Sequence, residues 1–291
     1  VATADGAALA ARLSPACDAI GEAGDYVVWF DAALRVTRSR LVEDGAVGLT
    51  GAGRAVRLAP DFDPSTGRTW VAVEVVAPDG TVLATGELDR PRLDGARLPV
   101  SDGLVVVTET ELVGISEAAT ERWAEALPAP PVAADVFDDA LVVAFDAADA
   151  PSFAGRTGAR DGQPGANATW IVTLDARTGA VRADVFVPGT RLPERAAVVP
   201  LGGGEHGIFD YRDGALTLRL GREGEVVDER RYVNDPPGSC FGGGCPARAL
   251  FAVPTADGAW VLNPNVQGRV DYDGTLLEFP RRRATLLRWT P

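Results

Sequence analysis

Asp102-Gly103-Leu104-Val105-Val106-Val107-Thr108 is followed by Leu112-Val113-Gly114-Ile115-Ser116, and then by Ala119-Thr120-Glu121-Arg122-Trp123. The first two runs are dense in Val, Leu and Ile, short, and flanked by turn formers, so they read as β-strands. Glu117-Ala118-Ala119 then turns into a third strand-like run that carries Trp123. Strand, tight turn, strand is the local theme, and most of the chain repeats it.

Working outward, strand-like runs occupy Asp25–Phe30, Leu34–Val42, Ala55–Leu58, Trp70–Val76, Thr81–Thr85, Leu141–Phe145 and Trp170–Leu174. Hairpin turns ending at Gly45, Gly80, Ala119, Gly179, Gly224 and Gly274 are spaced by 35, 39, 60, 45 and 50 residues. One four-stranded propeller blade takes about 40–50 residues. Trp29, Trp70, Trp123, Trp170, Trp260 and Trp289 step by 41, 53, 47, 90 and 29, the 90 being two steps of 45 with one Trp missing. The expected fold is therefore all-β, a single propeller over residues 25–291 built of four-stranded antiparallel sheets. Six blades fit, at roughly 20–50, 51–93, 95–130, 132–190, 194–235 and 247–291. A seventh fits only if the long fourth unit hides a divergent repeat. The last run, Ala284–Trp289, is expected to pair with the first blade, because an open ring leaves backbone donors unpaired.

Residues 1–24 read as a separate segment. Ala7, Leu9, Ala10 and Leu13 predict a helix, and Ser14-Pro15 predicts the cap of a second short one carrying Cys17 and Ile20. The chain starts at Val1 and contains no Met, which points to a processed chain, exported to a periplasm or beyond the cell after removal of a signal peptide. In that setting Cys240 and Cys245, separated by Phe241 and three glycines, are expected to close a small disulfide loop. Cys17 is left over and reads as a buried small side chain.

Composition removes several function classes. The 291 residues carry 41 acidic and 28 basic side chains, a net charge of -13, and every basic residue is Arg. Such a chain is a poor partner for nucleic acid or an anionic membrane. No apolar run approaches the ~20 residues of a membrane-spanning helix. A hydrophobic fraction of 46% excludes disorder. The single His excludes His-rich metal sites.

Candidate chemistry is sparse. There is no Gly-x-Ser-x-Gly elbow and no His-Glu-x-x-His. His206 follows Gly202-Gly203-Gly204-Glu205, which reads as a flexible turn and not a phosphate loop. Asp61, Asp63 and Ser65 place oxygens on alternate residues, a candidate calcium site whose other reading is a capped turn. Asp135, Asp138, Asp139, Asp146 and Asp149 form an acidic cluster, read as a solvated edge or as a hiding place for paired catalytic carboxylates. Arg281, Arg282 and Arg283 are a candidate docking site for an acidic partner, or ordinary edge charge. Asn167-Ala168-Thr169 matches a glycosylation sequon.

The opening stretch, together with Trp170-Ile171-Val172-Thr173-Leu174-Asp175-Ala176-Arg177-Thr178-Gly179-Ala180-Val181, resembles the repeats of pyrroloquinoline-quinone-like β-propellers. The resemblance covers about two units well. It implies a propeller fold. Quinoprotein dehydrogenases of that family are larger and carry adjacent paired cysteines, which this chain lacks, so no cofactor site carries over. The resemblance is to the non-catalytic exported members. The expected function is an exported propeller without catalysis or cofactor, binding protein partners as a scaffold subunit of an envelope or extracellular assembly. The alternative is a carbohydrate-active or other hydrolytic enzyme with carboxylates in the central channel.

Overall fold

The computed structural model describes residues 2–3, 6–13, 24–33, 35–42, 45–137, 139–150, 152–157, 168–187, 197–202, 205–211, 215–220, 226–232, 251–255, 258–263, 276–278 and 285–289. Among these the protein is all-β, with six four-stranded antiparallel sheets and one two-stranded hairpin. The first sheet holds β1 (Ala2–Thr3), β2 (Gly6–Leu13), β3 (Gly24–Asp31) and β4 (Val36–Val42). The second holds β5 (Ala46–Leu49), β6 (Ala55–Phe62), β7 (Thr69–Val76) and β8 (Val82–Leu88). The third holds β9 (Ala96–Val100), β10 (Gly103–Val107), β11 (Glu111–Ser116) and β12 (Glu121–Ala126). All three are simple meanders, the blade unit read from the repeat.

The fourth sheet runs β13 (Ala133–Phe137), β14 (Ala140–Asp146), β17 (Thr169–Asp175) and β18 (Val181–Val187), with the hairpin β15 (Ser152–Phe153) and β16 (Arg156–Thr157) inserted after β14. The fifth is the meander β19 (Ala197–Gly202), β20 (Glu205–Tyr211), β21 (Ala215–Leu220) and β22 (Val226–Tyr232). The sixth contains β23 (Phe251–Thr255), β24 (Gly258–Asn263), β25 (Leu276–Glu278) and β26 (Thr285–Trp289), in the order β23-β24-β26-β25.

Three expectations need correction. The N-terminal helix is a strand: β2 pairs with β3 along its whole length, from Gly6 opposite Asp31 to Leu13 opposite Gly24. Alanine's helix preference amounts to tenths of a kcal/mol per residue, and a full ladder with buried alternate side chains outweighs it. The alternation is visible, with Ala8 buried and Leu9 exposed. The second short helix lies outside the described residues. Next, residues 46–49 open the second sheet instead of closing the first, because the N-terminal strands already complete the first. Finally, β26 does not pair with the first sheet. Its Leu286 and Leu287 sit between β24 and β25 of the sixth.

The chain divides into two compact units, Val1–Leu127 with Asp175–Ala180, and Pro128–Leu174 with Val181–Pro291. In the first unit the second sheet is covered on both faces. One face packs Val47, Leu49, Ala55 and Val76 against Ala8, Val27, Trp29 and Val42 of the first sheet. The other packs Val56, Leu58, Val71, Val73 and Val75 against Leu104, Val106, Val113 and Ile115 of the third. Each such buried Val, Leu or Ile side chain contributes about 1.5–3 kcal/mol. First strands lie side by side, β5 against β9 here, and β13, β19 and β23 in succession in the second unit. In the third sheet burial falls off outward: every residue of β10 is buried, whereas β12 has none that is.

In the second unit β14 and β17 are buried up to their last residue, Asp146 or Asp175, β14 with apolar side chains alone and β17 with the buried Thr169 and Thr173 among them. Phe145 packs against Phe153 of the inserted hairpin at 5.2 Å and Trp170 at 5.9 Å between ring centres, so this part of the long insertion folds onto the core. Among the described residues no helix is long and apolar enough to cross a membrane.

Candidate functional site

The outermost strand of the second sheet, β8, differs from the outer strands of the other sheets. Its entry is set by the turn Ala77–Thr81. Ala77 N–H donates to Thr81 C=O at 2.9 Å and Gly80 N–H to Ala77 C=O at 2.8 Å. Gly80 takes φ +88°, a conformation that costs a residue with a Cβ. Asp79 Oδ1 accepts the Thr81 N–H at 2.9 Å, which, with the Thr81 side chain, holds its carboxyl below the usual value of 3.8. From the first sheet, the Arg38 guanidinium donates to the Asp79 carbonyl.

Beyond that turn, among the described residues, β8 pairs only with β7 and is the last strand of its sheet. Val82 and Leu83 are 48% and 46% exposed, although successive strand side chains point to opposite faces. Val82 through Gly86 carries no charge. Other outer strands are protected by charge: Arg38 and Arg40 on β4, Glu121, Arg122 and Glu125 on β12, Arg182 and Asp184 on β18, Asp228 to Arg231 on β22. Charge is the usual guard against strand addition, and β8 lacks it over five residues. Val36, two residues from Arg38 on β4, adds another apolar side chain that is 60% exposed. At the far end of β8, Glu87 accepts from Arg68 at 3.1 Å, and that guanidinium lies 5.2 Å from the Trp70 ring centre.

The residues singled out in the sequence fall elsewhere. Asp61 stands opposite Trp70, one residue before the end of the β6 ladder, where Oδ1 accepts the Phe62 N–H. Asp63 caps the β6–β7 turn: Oδ1 accepts from Ser65 N–H at 2.8 Å and Ser65 Oγ–H at 2.7 Å, and Oδ2 from Thr66 Oγ1–H at 2.7 Å. The Ser65 hydroxyl, followed by that of Thr66, pulls the Asp63 carboxyl down to about 2. Both Asp63 oxygens are thus engaged locally. Among the described residues no group of three His, Cys, Asp or Glu side chains is placed to hold a metal ion.

Of the acidic cluster, Asp146 and Asp149 share one turn, where the Asp149 N–H donates to Asp146 C=O at 3.1 Å, and Asp135 and Asp139 lie elsewhere. Asp139 and Asp146 lie beyond opposite ends of the β14 ladder, about 20 Å apart at strand rise, and Asp138 is outside the described residues. Asp146 Oδ1 accepts the Ala148 N–H and opens a turn. Asp135 stays alone on β13, with burial raising its carboxyl above 3.8. Cys17, Cys240, Cys245, Arg281, Arg282, Arg283 and Asn167 all lie outside the described residues. His206 lies on β20, opposite Pro200 and Leu220.

The two stretches that carried the repeat reading meet in the first unit. The Trp123 indole N–H donates to Ala176 C=O at 3.1 Å. Asp175 Oδ1 accepts the N–H groups of Arg177 and Thr178, each at 3.0 Å, and Gly179 at φ +73° closes that turn. Arg177 and Arg122 both reach the Asp102 carboxylate, at 3.0 and 2.6 Å. Trp29 plays a comparable part, donating to Gly53 C=O at 2.9 Å.

No family model and no curated protein matches the chain. Solved structures that resemble it include a protein of unknown function from Bacteroides caccae, with 15% identity over 71% of this chain and 89% of that one, at a TM-score of 0.31. Hsv2 from Kluyveromyces marxianus matches at 10% identity over 82% of this chain and 69% of that one, at a TM-score of 0.44. A eukaryotic initiation factor matches at 13% identity over 84% and 68%, at a TM-score of 0.37. These superpositions are partial.

Proposed function

We propose that the chain is a non-catalytic protein-binding module, a scaffold subunit of an exported assembly, that receives an extended segment of its partner along β8. The observation that carries this is the uncharged, unpaired edge of β8 with Val82 and Leu83 both half exposed. An added strand would gain backbone hydrogen bonds from that edge, and the two side chains would supply one contact on each face. The hydrolase reading is less well supported. Two-carboxylate hydrolysis needs a pair within about 5–10 Å. The described first strands, Ala2–Thr3, Ala46–Leu49, Ala96–Val100, Ala133–Phe137, Ala197–Gly202 and Phe251–Thr255, carry a single carboxylate, Asp135.

A photo-crosslinking amino acid at position 83, with a control at the exposed Ala118, tests the proposal in extracts of the source organism. A defined adduct is expected from position 83 and not from 118, and Val82→Lys should abolish it. Equal adducts from both positions, or an adduct at 83 indifferent to Val82→Lys, would overturn it.

A further inference from the structure

The head of β8 carries a guanidinium that belongs to another sheet. Arg38 stands on β4, opposite Trp29, and reaches across from the first sheet to donate to the Asp79 carbonyl. It lies over Gly80, where a Cβ would run into the guanidinium, so the residue that φ +88° calls for also makes room for the arginine. The Asp79 carboxylate is engaged within its own turn, with Oδ1 on the Thr81 N–H at 2.9 Å. Thr81, through its N–H and then its hydroxyl, does more to lower that carboxyl than Arg38 does. Among the described residues Arg38 makes no ion pair, whereas its neighbours Arg40 and Arg68 are taken up by Glu74 at 3.2 Å and Glu87 at 3.1 Å. Arg38 is exposed, as is Val36 two residues before it. The other end of β8 has the opposite sign. Glu87 is exposed there, and Asp89, 89% exposed, follows directly after the strand. One guanidinium, that of Arg68, is set against both, at 3.1 and 3.9 Å.

We infer that the segment received by β8 runs antiparallel to it and carries, just after its apolar residues, an Asp or Glu that pairs with Arg38. This rests on the strand-addition reading and names the chemistry of the partner. The two ends of β8 fix the direction: a carboxylate is attracted at the head, by Arg38, and repelled at the tail, by Glu87 and Asp89. Antiparallel is also the pairing that β8 already makes with β7, and it is slightly the more stable per residue. An antiparallel segment ends where β8 begins. Its acid therefore follows the residues that meet Val82 and Leu83, and lies beside Arg38. The bond to Asp79 C=O holds the guanidinium at the strand head, and its planar donors match the two oxygens of a carboxylate.

A random dodecapeptide library displayed on phage and selected on the full chain tests the inference, the consensus peptide then being measured by fluorescence anisotropy. Selected peptides are expected to carry apolar, β-branched residues followed, towards the C-terminus, by Asp or Glu. Replacing that acid by its amide should weaken binding about fivefold, the scale of one partly exposed ion pair. Arg38→Gln should weaken the acidic peptide by the same factor and leave the amide peptide unchanged, and Arg38→Glu should favour a Lys at that position. Val82→Lys should abolish binding of every peptide. Peptides that need Val82 but show no acidic preference would overturn this inference and leave the edge reading standing. So would an acid that precedes the apolar residues, or an acidic peptide indifferent to Arg38→Gln. Peptides that bind the Val82→Lys variant as tightly as the natural chain, or no selected peptide at all, would overturn both.

Discussion

Gly114→Ala should destabilise the first unit, and the same change should become harmless once Trp123 is removed. Gly114 stands directly opposite Trp123 across the β11–β12 ladder. A Cβ built on Gly114 would lie 2.3 Å from Trp123 Nε1 and 2.5 Å from Cε2, well inside contact distance. The indole has little room to retreat, because Gly179 approaches its other ring closely enough that a Cβ there would lie 2.8 Å from Cδ2. Displacing the ring also breaks its bond to Ala176 C=O. Overpacking costs about 1–3 kcal/mol and the lost hydrogen bond about 1. Replacing a strand glycine returns about 0.5–1 kcal/mol. The net loss is about 2 kcal/mol, which at a urea dependence near 2 kcal/mol per M moves the unfolding midpoint down by roughly 1 M. In a Trp123→Ala background the clash and the hydrogen bond are both absent, so Gly114→Ala should be neutral or stabilising by up to ~1 kcal/mol. Urea unfolding of the four proteins gives the coupling directly, expected at about 2–3 kcal/mol. An equal loss in both backgrounds would show that Trp123 does not rest on Gly114, and the packing argument would fall.

Other predictions concern single groups. The Asp63 carboxyl is expected to titrate at about 2 by carbon-detected NMR. Because that value is depressed, the turn's contribution is present above 3.8 and lost as pH falls toward 2; Asp63→Asn should remove this dependence, and added calcium should leave the titration unmoved. Asp135 behaves oppositely: burial raises its carboxyl, so its charge opposes folding at neutral pH. Asp135→Asn should raise the melting temperature at pH 7, with the gain fading as pH falls toward 3.8 and absent below it; a loss at pH 7 would contradict the burial argument. Thiol titration in denaturant should find one free thiol per chain, that of Cys17, if Cys240 and Cys245 are bridged; three would refute the bridge.

Much of the architecture could be read from residue order. Continuous apolar runs such as Leu104–Val107 and Leu141–Phe145 became the strands buried on both faces, and Asp-Gly turns fell between strands. The Ala-rich start looks helical by local preference, but that preference is weak, and the pairing partner of Gly6–Leu13 lies in a later stretch, Gly24–Asp31. The same reason hid the fate of Thr285–Trp289, whose neighbours are set by the sixth sheet. The edge of β8 left a faint trace, an uncharged run ending at Gly86. Nothing local distinguishes Arg38, since its place at the head of β8 depends on the packing of two separate sheets.

From the sequence alone followed the strand content, the blade-length repeat and the absence of the common catalytic motifs, because these depend on composition and short-range periodicity. Tertiary structure alone decided which strands share a sheet, that Asp63 serves its own turn, that the acidic cluster splits, and where an unguarded edge and the guanidinium at its head lie. Those outcomes rest on pairing and packing between residues distant in the chain, for which a linear pattern carries no distance.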